Sequence, residues 1–289
     1  MTEVNPRVNY DDIAATYDAR YTSGVGQGQH TVPVALRQLL RPGITNRVLE
    51  VGCGTGFWLS SFHGTHDVCG LDLSPGMLSK AKAKHNRLVC GTAEQLPFPA
   101  NSFDLIYCVN AFHHFVEKEI FIGEATRLLR NNGILALIAR DPHGQTDTWY
   151  TYDYFPGTRD VDLRRFPPVP RIAEWMKKAG LSDVSSCVVE RLLNHQYGRG
   201  VLNHSVLQKN GTSQLILLSD EAYATGFAQL KQDLDEAEAQ GRMLQFRSDV
   251  SLVMVTGRNP RASSVRSGAP FPQKSSIIRI ETREEIGSC

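Results

Sequence analysis

The sequence predicts an α/β fold built on a doubly wound, mostly parallel sheet. Short apolar runs bounded by turn residues recur five times between residues 47 and 139, and helical segments separate them. Such alternation calls for parallel strands, right-handed crossovers and helices on both faces. In addition, the first run, Arg47–Val51, passes directly into Gly52-Cys-Gly-Thr-Gly56, a glycine-rich turn at the end of a buried strand.

Before the sheet, Tyr10–Asp18 has a helical period with Ile13, Ala14 and Tyr17 on one face. Gly24-Val-Gly-Gln-Gly28 is loose enough for a hinge, and Thr31–Leu40 forms an amphipathic helix that stops before Pro42-Gly43. The first strand needs Val48, Leu49 and Val51 in the core, and Phe57-Trp58-Leu59 opens the helix after the glycine turn. The second apolar run, Val68–Leu71, ends in Asp72-Leu-Ser-Pro. An acid at that position in a doubly wound sheet faces the hydroxyls of a bound ribose. A third strand, Arg87–Gly91, leads into Thr92–Phe98. A fourth, Phe103–Val109, ends at Asn110-Ala-Phe-His-His114, and a helix at Lys118–Leu129 precedes the fifth strand, Gly133–Ala139.

Beyond the fifth strand, Arg140–Asp147 and the aromatic run Trp149–Phe155 occupy the edge where a substrate would meet a cofactor. The rings suit either a planar acceptor or a loop pinned by buried side chains. Pro170–Gly180 is a helix with a glycine stop, Val184–Leu192 a sixth strand and Asp249–Thr256 a seventh. The stretch between these two, about 194–248, is far longer than a hairpin loop. It contains a helix opened by Ser219-Asp-Glu, a good N-terminal sequence. Residues 259–289 turn to Ser, Pro, Arg and Gly, the composition of a flexible tail.

Taken together, Leu49–Gly56, Gly70–Met77, Ala93–Phe98, Phe103–Ile106, His113-His114 and Leu128–Gly133 make the chain resemble the class I S-adenosylmethionine (SAM) methyltransferases. The similarity is to the small-molecule branch typified by ubiquinone and menaquinone biosynthesis enzymes, and it spans roughly Tyr10 to Arg258. The glycine spacing is G-x-G-x-G, not the G-x-G-x-x-G of dinucleotide enzymes. The resemblance implies a Rossmann-like seven-stranded sheet whose last strand is antiparallel, with strands six and seven forming a hairpin beside the fifth. It implies an N-terminal helical lid over 1–46, a SAM-binding domain over 47–258 and a substrate-covering insertion at about 194–248.

It also implies site residues. SAM contacts are expected from Tyr17, Glu50, Gly52, Cys53, Gly54, Gly56, Asp72, Leu73, Met77, Ala93, Glu94 and Asn110. Thr92 stands where the family often has an acid. His113 is the candidate general base, since an ordinary imidazole pKa of about 6.5 suits proton removal near neutrality. In some sugar and natural-product members of the family the matching histidine acts with an acid after the fifth strand; here Ala139 takes that place and the nearest acid is Asp141, the second catalytic candidate. The dyad is thus either shifted or absent, and the alternative for His113 or His114 is that it only shapes the pocket. His143, His195 and His204 are further loop candidates.

The formal charge of +1 implies neither nucleic-acid steering nor an acidic tail, and no Asn/Asp-Pro-Pro-aromatic motif follows strand four. No apolar run is long enough to span a membrane. The six cysteines show no C-x-x-C pair and mostly fall in or beside predicted core strands, so no metal is expected. With an N-terminal stretch that lacks the features of a secretion signal, a cytoplasmic location is expected. The function that follows is methyl transfer from SAM to a small molecule at oxygen or carbon. The alternative is a methyltransferase-like protein that binds SAM without turnover and acts through a partner.

Overall fold

The computed structural model describes residues 8–18, 30–62, 64–144 and 147–260. The stretch Gly24–Gly28 and all but the first two residues of the expected tail lie outside the described residues.

The chain enters through α1 (Val32–Gln38), whose N-terminal amides are met by a carboxylate from a distant strand. The Oε2 of Glu190 accepts from the N–H groups of Thr31 and Val32 at 2.9 and 3.1 Å. A negative charge there satisfies donors that the helix itself leaves open. The strands β1 (Arg47–Val51), β2 (Asp67–Asp72), β3 (Leu88–Cys90), β4 (Phe103–Val109) and β5 (Leu129–Arg140) pair in parallel in the order β3-β2-β1-β4-β5. Between them lie α2 (Pro75–Ala81), capped by Ser74, and α3 (Lys118–Leu128).

After β5 come the two-residue β6 (Thr148–Trp149), α4 (Tyr150–Tyr154), α5 (Thr158–Arg165) and α6 (Val169–Lys178). The long strand β7 (Ser182–Tyr197) and the last strand β8 (Gln245–Arg258) are antiparallel partners from Ser182↔Arg258 to Tyr197↔Gln245. The other edge of β8 runs antiparallel to β5 and then to β6. The described sheet thus has eight strands instead of seven, the added one being β6.

Alternation along the strands sorts the side chains into two cores. Leu49, Val51, Ile106, Cys108, Leu135 and Leu137 face α3 and α6, whose Phe121, Ile122, Ile172 and Met176 close one layer. Val48, Leu105, Tyr107, Ala136 and Ile138 face Val32, Leu36, Trp58 and Phe62 on the other side. A third core belongs to the insertion. Between β7 and β8 lie a short helix, α7 (Ser213–Ile216), and the long α8 (Asp220–Ala239), opened by Ser219 as its side chain accepts from the Ala222 N–H. Their Leu215, Leu230 and Leu234 pack on Trp149, Tyr150 and Phe155. The aromatic run after β5 therefore anchors the insertion.

Two local expectations change. Tyr10–Asp18 is a succession of turns with i→i−3 hydrogen bonds, among them Thr16 N–H to Ile13 O at 3.1 Å, not an α-helix. Its Asp and Thr side chains are drawn to partners elsewhere in the fold, which competes with helix formation. The helix expected from Phe57 shortens to a 3₁₀ turn at Leu59–Phe62. Ser60 and Ser61 are weak helix formers, and the Thr65 hydroxyl donates to Phe62 O at 2.9 Å, closing the segment before β2.

Candidate functional site

The turn after β1 is held in shape by the end of β2. The N–H groups of Gly52 and Cys53 both donate to Leu71 O, at 2.7 and 3.0 Å, and the Gly54 N–H donates to Asp72 Oδ2 at 2.7 Å. Gly52, Gly54 and Gly56 have φ of +76°, +53° and +76°, a region that side chains disfavour. The other Asp72 oxygen accepts from the Ser74 N–H at 2.9 Å. Burial raises the Asp72 carboxyl above its usual range, and these backbone donors act against that rise.

This turn forms part of the wall of a cavity of about 540 Å³. Of the residues expected at a cofactor, Tyr17, Gly52, Cys53, Gly54, Asp72, Leu73, Met77, Ala93, Glu94 and Asn110 all line it. Asn110 has φ of +51° where β4 ends, and its N–H donates to Ile138 O at 2.8 Å. Glu94 Oε1 accepts from the Val116 N–H at 2.9 Å.

Two expected contacts do not reach the cavity wall. Gly56 turns toward His85, whose ring a Cβ at Gly56 would meet at 2.6 Å. Glu50 is fully buried beneath the turn, where its Oε2 accepts the Tyr107 hydroxyl at 3.0 Å. Burial pushes the Glu50 carboxyl well above its ordinary value, which favours its neutral form.

The segment 8–18 closes over this floor. The Asp11 carboxylate accepts from the Ser74 hydroxyl and from the Gly76 N–H, which together hold its pKa below the usual value. The Thr55 hydroxyl donates to Asp18 at 2.6 Å, and the Tyr10 hydroxyl lies 2.7 Å from His114 Nε2. Tyr10 and Tyr17 meet edge to face at 6.0 Å, and both line the cavity.

At the remaining wall stand His113, Lys118 and Arg165. The His113 ring stacks on Phe166, 3.9 Å between centroids and 15° between planes. Burial, then the cations of His114, Arg165 and Arg140, depress its pKa well below the ordinary imidazole value. That shift favours the neutral imidazole. Asp141 is not part of the cavity wall; its carboxylate accepts the His143 N–H at 3.1 Å within a turn. Of the two catalytic candidates, His113 lines the cavity and Asp141 does not.

Behind that wall lies a cluster that sequence reasoning missed. Asp162 is fully buried; its Oδ2 accepts from Arg140 Nη2 at 2.6 Å and from the Tyr152 hydroxyl at 2.8 Å. Its Oδ1 accepts from Arg165 Nη2 at 3.0 Å. Burial works against the Arg140 charge, but Asp162 and Tyr152 more than offset it and raise its pKa. In the sequence Thr158–Arg165 is a run of charges that reads as a solvated helix face. Nothing local announces that Asp162 and Arg165 turn inward.

Residues 49–137 match the family described as the methyltransferase domain. Among curated proteins, the chain is 31% identical over 169 residues to the 2-methyl-6-phytyl-1,4-hydroquinone methyltransferase 2 of Oryza sativa, covering 56% of this chain and 45% of that one. It is also 31% identical over 185 residues to the malonyl-[acyl-carrier protein] O-methyltransferase of Hahella chejuensis, covering 60% and 62%. The chain thus spans about half the length of these relatives. Among solved structures, a protein described as a methyltransferase from an antibiotic biosynthesis pathway of Anabaena variabilis superposes with a TM-score of 0.62 at 20% identity, over 78% of this chain and 96% of that one. Over residues 49–137 the chain is thus similar in sequence to the methyltransferase domain, and its sheet shares the fold of the Anabaena variabilis protein.

Proposed function

We propose that this chain binds SAM in the cavity above β1 and β2 and transfers its methyl group to a small-molecule acceptor, at oxygen or carbon. The observation that carries the reading is the left-handed glycine turn, clamped to Asp72 and opening on a cavity of ligand size. Its residues fit the cofactor. Backbone at Gly52 and Gly54 permits close approach by the methionine part, and each Asp72 oxygen keeps a lone pair for a ribose hydroxyl. Met77 and Leu73 would border the adenine, with Ala93 and Glu94 at its edge.

Bound SAM supplies a methyl group already attached to a good leaving group. What remains for the protein is to hold the acceptor in line and exclude water, which can contribute about 7–11 kcal/mol through orientation. The strapped segment 8–18 covers the cofactor side, and the cavity wall at His113 and Arg165 bounds the acceptor side. The relatives named for 2-methyl-6-phytyl-1,4-hydroquinone and for malonyl-[acyl-carrier protein] support a small acceptor group, and the balanced charge favours that over nucleic acid. Among the described residues no helix is long and apolar enough to cross a membrane. Cys53, Cys69 and Cys108 are free and buried, which fits a cytoplasmic location.

Isothermal titration with SAM, S-adenosylhomocysteine and NADH tests the cofactor. Micromolar binding of the first two and none of NADH is expected, followed by labelled-methyl transfer to hydroxylated or quinol-type acceptors. Failure of both sulfur compounds to bind would remove the reading.

A further inference from the structure

Arg165 lines the cavity yet is only 3% exposed, and its Nε and Nη1 have no partner among the described residues. Its Nη2 alone is engaged, with Asp162 Oδ1 at 3.0 Å and the Ser213 hydroxyl at 3.1 Å. His113, on the same wall, leaves Nδ1 without a partner. Buried donors of a charged group left unsatisfied are costly, and native sites that retain them normally hold something against them.

Charge points the same way. Arg140 and Arg165 share the single carboxylate of Asp162, while the other groups bonded to the cluster, Tyr152, Ser213 and Gln214, are neutral. A further carboxylate, Asp147, lies within the field of Arg140, whereas the groups bonded to Arg165 are the shared Asp162 and the neutral Ser213. Lys118, the other cation on this wall, donates to Phe115 O at 2.8 Å and is faced by Glu94 and Glu117. The open cationic donors on this wall belong to Arg165. An apolar ring adjoins it: Phe166 stacks on His113, with Arg140 at 5.1 Å and Arg165 at 6.0 Å from its centroid.

We infer that the acceptor is an organic carboxylate whose monoanion seats against Arg165, with its apolar part in the cavity. The open guanidinium donors of Arg165 suit a carboxylate. This rests on the methyltransferase reading for the identity of the remaining cavity space, but the anion site itself is independent of it.

The test is calorimetry on the full chain saturated with S-adenosylhomocysteine, using acetate, benzoate and octanoate, each beside its neutral amide. At least one acid is expected to bind about tenfold or more tightly than its amide. Arg165→Gln should erase that preference while leaving amide and S-adenosylhomocysteine affinities unchanged. No preference for any acid in the native chain, or a preference that survives Arg165→Gln, would overturn the inference. Should Arg165→Gln fail to fold, Lys118→Gln must keep the acid preference, and its loss there would overturn the assignment to Arg165. Octyl phosphate is the remaining arm: tighter binding than octanoate would replace the carboxylate by a phosphate and overturn the proposal as stated. S-adenosylhomocysteine binding without acid preference leaves the methyltransferase reading intact. Acid preference without S-adenosylhomocysteine binding removes that reading and keeps the anion site.

Discussion

At Gly52 an added Cβ would lie 2.4 Å from the Cβ of Ala111, on backbone with φ of +76°. At Gly54 the nearest atom is a ring carbon of Tyr17 at 4.0 Å, with φ of +53°. The two glycines thus do different work in one turn. Gly54→Ala pays only for the left-handed backbone, about 1–2 kcal/mol, but places its methyl in the cavity beside Tyr17. Gly52→Ala adds overpacking of roughly 1–3 kcal/mol against the segment after β4. Urea unfolding should therefore show a smaller stability loss for Gly54→Ala than for Gly52→Ala, while titration shows SAM binding lost in both. Equal stability losses would mean that the turn is looser than its hydrogen bonds to Leu71 and Asp72 imply. The glycine spacing was legible in the sequence because the backbone conformation demands that residue type. Arg165 was not, because only the tertiary fold buries it.

Helix α8 meets the aromatic run at Gly226, where a Cβ would stand 2.3 Å from Tyr154 O and 2.7 Å from the Phe155 ring. Replacing an interior helical glycine by alanine normally gains roughly 0.5–1 kcal/mol. Here the obstacle is a backbone carbonyl that cannot swing aside, and overpacking of about 1–3 kcal/mol should win. Gly226→Ala is expected to lower the thermal midpoint by several degrees, with SAM affinity unchanged; a raised midpoint would show that α8 is not seated on Tyr154. The same comparison of local and distant forces explains which elements could be read in advance. β1, β4, β5, α3 and α6 follow from apolar periodicity, because each buries a face against the sheet. β7 extends past the expected Leu192 to Tyr197 with most of its side chains exposed or half-buried, so its outer part is defined by pairing with β8 and not by any apolar pattern. The turns at 11–18 are likewise set by bonds to distant partners, which a local period cannot reveal.

The insertion interrupts the sheet less than its length suggests. β7 and β8 remain paired to Tyr197↔Gln245, and the Gly198 N–H still reaches Leu244 O at 2.9 Å, so residues 198–244 stand at the tip of a continuous hairpin. The insertion expected at about 194–248 is narrower by the residues that the strands reclaim. Every residue proposed to hold SAM lies outside it. What the insertion does supply is Ser213 and Gln214 to the Arg140–Asp162–Arg165 cluster, and the core that buries Trp149, Tyr150 and Phe155. Cofactor binding and acceptor binding should therefore separate. Replacing residues 198–244 by an Asn-Gly turn, which matches the twist of a two-residue hairpin, should leave a folded sheet that binds S-adenosylhomocysteine within about tenfold of the native affinity, or roughly 1.4 kcal/mol. The same chain should lose preference for a carboxylate and lose methyl transfer, because Arg165 and Asp162 would then face water and no longer hold one geometry. If the shortened chain keeps its acid preference, the cluster is organised by α5 alone. If it loses S-adenosylhomocysteine as well, while circular dichroism shows the sheet intact, the two halves of the cavity are coupled through the insertion.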